Sequence, residues 1–116
     1  MVAVALDERT GHAVRARLVE FDRIFASPLL EAELRAALRR EALPDAELDL
    51  SDIQWILPSR ALTDEVERVL DAGCVRGADC WHLACALYLA QDSGEVTFLT
   101  LDLPQRKVAK ALGFAT

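Results

Sequence analysis

Residues 78–90, ADCWHLACALYLA, decide the fold. On a helix through this stretch, apolar side chains fall on nearly every side, so it has almost no face to offer water and belongs inside the molecule. The next segment, VTFLTL at 96–101, is short and apolar without alternation, which reads as a central strand covered on both faces. A buried helix followed at once by such a strand predicts an α/β domain with a mostly parallel sheet.

Working outward, the same alternation continues. Pro104 to Leu112 reads as a closing helix ended by Gly113, and residues 62–72 as a helix capped by Gly73, its acidic first turn favoured by the helix dipole. IQWIL at 53–57, stopped by Pro58, reads as a strand. Ser27 and Pro28 open a helix that runs to about Ala42, with a hydroxyl N-cap and a proline at the first helical position. Arg23 to Ala26 suits a short buried strand, and 13–21 a helix on Val14, Leu18 and Phe21. Residues 44–52, PDAELDLSD, carry four acids and no base and read as a solvated connection. VAVAL at 2–6 leaves two options open, a strand or the stub of a helix.

Composition bounds the function. At 116 residues and 12.8 kDa the chain is the size of one domain, 53% hydrophobic and 28% charged, hence packed and not disordered. Aromatics are only 6%, so the core rests on Leu, Val and Ala. The net charge of −6 argues against a general electrostatic coat for nucleic acid, leaves room for a local basic rim, and makes some clustering of acids a matter of chance. No apolar run approaches the roughly 20 residues of a membrane helix. The N-terminus lacks a basic flank and a cleavage site, so no signal peptide is read. Cys74, Cys80 and Cys85 show no Cys-x-x-Cys spacing, which points to free thiols in a reducing cytoplasm and away from a zinc site.

Three carboxylates stand out by position. Glu33 borders the apolar stripe Leu30, Leu34, Ala37 and Leu38; the plain alternative is an edge acid reaching out to water. Asp79 opens the buried helix, where a carboxylate must be paired, metal-bound or held by the helix N-terminus. His82, three residues on, lies on the same side and is able to orient a carboxylate or meet a phosphate. Asp102 follows the apolar strand, where ligands bind in open parallel sheets, and is equally a candidate N-cap for the last helix. If the three converge, their repulsion calls for a hard divalent cation, and oxygen-only ligands suit Mg²⁺ or Mn²⁺. Such an ion lowers the pKa of a bound water and neutralises charge at a phosphodiester. Phosphate-binding loops, the nucleophile elbow and His-Glu-x-x-His are all absent.

In order and spacing, ASPLLEAELRAALRRE (26–41), RGADCWHLACAL (76–87) and VTFLTLDLPQRKVAKALGF (96–114) resemble the successive motifs of PIN domains, above all the small VapC-type toxins. The resemblance implies a three-layer α/β/α sandwich and a metal-dependent ribonuclease that hydrolyses RNA phosphodiester bonds. It carries the metal and catalytic acids over to Glu33, Asp79 and Asp102. It also implies a cytoplasmic toxin with RNA as substrate, a cognate antitoxin and a homodimer. Arg106, Lys110 and His82 become candidate RNA contacts, whereas Lys107 reads as part of a solvated helix face.

The opening departs from the family pattern, a short strand ending in an Asp. Asp7 follows VAVAL and is a candidate fourth metal ligand, but it stands only twenty residues before Ser27, and LDERTGHAVRARL looks like a later segment of the family. The reading adopted is one domain over 1–116 without the first strand and its acid. In the other arrangement, 2–6 form that strand, 12–21 one crossover helix and 23–26 the next strand. A chain short of a metal acid also suggests a second function, a catalytically degenerate PIN-like module that binds or regulates.

Overall fold

The computed structural model describes residues 4–6, 21–44, 50–93 and 95–116. The order of elements is β1 (Val4–Leu6), β2 (Ile24–Ala26), α1 (Leu29–Arg40), β3 (Ile53–Trp55), α2 (Thr63–Ala72), α3 (Gly77–Ser93), β4 (Thr97–Leu99) and α4 (Leu103–Ala111). The ladders are parallel: Leu6 of β1 stands opposite Leu99 of β4, and Ala26 of β2 opposite Trp55 of β3. The hydrogen-bonded ladders form two two-stranded sheets, β1–β4 and β2–β3, and β1 lies in contact with β2, so the four strands follow in space as β4–β1–β2–β3. Asp7, residues 13–20 of the helix read over 13–21, and residues 45–49 of the acidic connection lie outside the described residues.

Two expectations about the strands are corrected. A strand does stand at the N-terminus: Val4–Leu6 pairs with β4, so a parallel ladder occupies the place where a missing strand was expected. β4, expected to be central, instead has β1 on one side and the chain end on the other. There the Phe98 N–H donates to the Ala115 carbonyl at 2.8 Å. A flanking tail and the packed helices bury an outer strand as fully as a neighbouring strand would.

Successive strand residues face opposite sides, and the core divides accordingly. Phe25 and Phe98 join a cluster built from Val69 of α2, Cys80 and the buried run Leu83–Leu87 of α3, and Val108 of α4. Their neighbours Ala26 and Leu99 join a second cluster with Leu30 and Leu34 of α1. Helices thus cover both faces of the sheet, and each fully buried Phe or Leu contributes about 1.5–3 kcal/mol. α3 is enclosed because it has no polar side to turn outward.

Two glycines serve different ends. Gly113, at φ 95°, closes α4 by turning left-handed, so that Gly113 N–H reaches Lys110 O and Phe114 N–H reaches Ala109 O. Gly73 ends α2 in extended backbone, not in the left-handed conformation usual after a helix. What it supplies is room, since a Cβ there would stand 2.7 Å from Val108 Cγ2.

Candidate functional site

Ser27 sits just past β2, with Pro28 behind it starting the turn into α1. The expected N-cap is corrected here: the helix has no side-chain cap, and its first turn closes through Leu30 N–H to Ser27 O at 3.0 Å. The Ser27 hydroxyl instead meets His82 Nδ1 at 3.1 Å. The other ring nitrogen, His82 Nε2, lies 2.6 Å from Glu33 Oε1. Glu33, on the border of the α1 stripe, therefore turns toward α3; its side chain keeps 23% of its exposure. No second hydrogen bond among the described residues engages its Oε2.

A second relay joins the carboxyl end of β4 to the same helix. Thr100, just past β4, donates from Oγ1 to Gln105 Oε1 at 2.6 Å and accepts from the Asp102 N–H at 3.0 Å. Gln105, fully buried in α4, donates from Nε2 to the Asp79 carbonyl at 3.3 Å. Asp102 holds the N-cap position of α4 without a side-chain cap bond, so the helix start does not use its carboxylate as a cap. Asp79 lies in the first turn of α3, half-buried, as does the half-buried Asp102 at the mouth of α4.

The carboxyl ends of β2 and β4 are thereby stitched to the first two turns of α3, and Glu33, Asp79 and Asp102 belong to the segments so joined. They do not close on one another: among the described residues, no three His, Cys, Asp or Glu side chains are gathered as a metal site. The donor set is nonetheless all carboxylate oxygen, the chemistry that Mg²⁺ and Mn²⁺ prefer, and Glu33 has an oxygen to offer.

Ser27, His82 and Glu33 line up in the order of a hydrolase triad, yet Ser27 is only 2% exposed and its hydroxyl has no substrate to meet. His82, expected to contact RNA, is likewise buried, with both nitrogens spent on protein partners. Arg106, Lys107 and Lys110 are exposed on α4. The sequence reading gave Ser27 only a capping role and passed over Gln105. A Ser before a Pro and a Gln in a charged helix carry no local mark of burial, and their partners lie as far as 55 and 26 residues away.

Away from this region, Arg60 clamps the buried Glu65 with Nη1 to Oε1 at 3.0 Å and Nη2 to Oε2 at 2.5 Å. That guanidinium holds the Glu65 carboxyl down at about 2. Burial pushes the Cys85 thiol up to about 12 and that of Cys80 upward, which makes both poor nucleophiles and metal ligands.

The sequence profile of the PIN domain family matches residues 1–111. No curated protein and no solved structure matches the chain.

Proposed function

Because the chain belongs to the PIN domain family, a family of nucleases that generally use divalent metals, we propose that it is an Mg²⁺- or Mn²⁺-dependent endoribonuclease of the VapC toxin type. The family's α/β/α sandwich is the frame of this reading. The observation that carries it is the pair of relays that fasten the ends of β2 and β4 to the start of α3, where Ser27, Glu33, His82, Asp79, Gln105 and Asp102 come into one connected region.

Glu33, Asp79 and Asp102 are the residues that would hold the ion, with Asp7 as a fourth. Bound there, the cation would acidify a water and offset charge at the scissile phosphate. The chain's own part is to orient: His82 holds one oxygen of Glu33, and Thr100 and Gln105 hold the segment bearing Asp102 against α3. Arg106 and Lys110 supply positive charge for RNA phosphates on an otherwise acidic molecule. A cognate antitoxin, a homodimer and a cytoplasmic RNA target complete the proposal.

The test uses purified chain, a structured RNA, and Mn²⁺ with or without EDTA. Cleavage is expected with Mn²⁺ and lost with EDTA or in Asp79→Asn; cleavage that survives either change sinks the proposal. One observation favours a second reading, a binding module without catalysis: Glu33 already gives Oε1 to a protein partner. Calorimetry separates the two, since a module of that kind shows no Mn²⁺ binding.

A further inference from the structure

Five large apolar side chains among the described residues stand exposed, and two of them, Leu101 at 49% and Leu103 at 71%, flank Asp102. Leu103 opens α4, whose buried side is Gln105, Val108 and Ala109. On the outer side Leu103, Arg106, Lys107 and Lys110 follow at the spacing i, i+3, i+4 and i+7, so they share one exposed stripe. The stripe rises about 10 Å, the axial length of about three stacked nucleotides. From 103 to 116 the chain carries these three cations and no acidic side chain, on a molecule of net charge −6. Arg106 Nε donates to Thr116 Oγ1 at 3.3 Å, and among the described residues no carboxylate side chain pairs with any of the three.

We infer that the outer face of α4 is a track for single-stranded RNA, on which Lys107 takes a phosphate alongside Arg106 and Lys110 while Leu103 packs against a base at the end next to Asp102. The inference rests on the proposed ribonuclease reading and names how the substrate lies on this chain; it needs no bound ion. Cations without a local counter-charge draw a polyanion, and the release of its counterions drives binding. A leucine set among three cations is too little apolar surface to anchor a protein segment, whose interface closes over a desolvated apolar core. It does match the face of one base. In a duplex that face is stacked on its neighbours, so Leu103 meets a base only in an unpaired strand. The cations thus position the backbone, and the leucine supplies the preference for single strands.

The experiment is fluorescence anisotropy with a short unstructured RNA and its duplex, in EDTA, over a salt series. Arg35→Gln, a cation already paired with Glu31 on α1, serves as the control and is expected to change little. Lys107→Gln is expected to weaken binding of both RNAs and to lower the salt slope on the single strand by about 0.7, the share of one phosphate. Leu103→Ala is expected to weaken the single strand about 3–10-fold, with the slope and duplex binding unchanged. Both side chains are exposed, so neither change touches the core. A slope unmoved by Lys107→Gln, or a Leu103→Ala loss equal on single strand and duplex, overturns the inference. So does a wild-type chain that binds no RNA, or one that binds poly-glutamate with the same dependence on Leu103 and Lys107, which would mark a site for an acidic protein. Binding that follows the expected pattern in a chain that cleaves nothing with Mn²⁺ upholds the track and sinks the proposed catalysis alone.

Discussion

Replacing Gln105 by methionine tests whether the buried relay holds α4 and the end of β4 against α3. Gln105 has no exposed surface, and its two polar atoms serve two different segments, Thr100 and Asp79. Methionine keeps the length and nearly the volume, so little of the effect comes from a cavity. The change strips the Thr100 hydroxyl of its acceptor at 2.6 Å, and Thr100 is itself buried. Losing a buried hydrogen-bond acceptor of this kind costs about 1–3 kcal/mol. The contact with the Asp79 carbonyl is longer, 3.3 Å, and its loss adds less. Burial of a more apolar side chain returns part of this, on the order of 1 kcal/mol.

The net expectation is a loss of about 1–2 kcal/mol for Gln105→Met, and about 2–4 kcal/mol for Gln105→Ala, where a cavity is added. In urea, with a slope near 1–1.5 kcal/mol/M for a chain this small, the methionine variant unfolds about 1 M earlier at unchanged slope. On the proposed reading, Mn²⁺ affinity should fall with it, because Asp102 hangs from Thr100 by its own N–H. A midpoint shifted by less than about 0.3 M would refute the claim that this relay, and not apolar packing alone, joins the segments.

The acid limb of the stability curve should belong in part to Glu65. Its folded pKa of about 2 lies below the ordinary 4.5, so its contribution is complete above about pH 4.5 and is lost as pH falls toward 2; Glu65→Gln should flatten that limb in urea titrations at successive pH values. Gly73→Ala drives a Cβ to 2.7 Å from Val108, a β-branched side chain fixed in a helix, and should cost about 1–3 kcal/mol; in a Val108→Ala background the same change should be neutral or mildly stabilising by chemical denaturation. Of the three free thiols, only the exposed Cys74 should react with a maleimide in the native state, Cys80 and Cys85 following on unfolding.

Much of the fold was readable because its signals are local. The buried helix needs only its own composition, and the stripe of α1, found as Leu30, Leu34 and Leu38, needs only its own spacing. What escaped was set by distance along the chain. VTFLTL reads as a central strand since burial on both faces is all that an apolar run can report. Whether a strand or the residue at 115 flanks it is written nowhere near it. Gly73 after a helix reads as a left-handed stop, while its reason lies in a valine of another helix.

Ser27 makes the same point for the site. A serine before a proline presents the same local pattern whether its hydroxyl caps a helix or points into the core, and here the choice is made by His82. Glu33 shows what that costs a sequence reading. As an edge acid it is free to reach water, and the bland expectation was a solvated side chain; a buried histidine one helix away changes the outcome. With Nε2 held 2.6 Å from one oxygen, the carboxylate stays inward, half-exposed and directed, instead of sweeping the surface. Sequence named the acid, but only the fold supplies the group that aims it, and that partner sets this carboxylate apart among nineteen acidic residues.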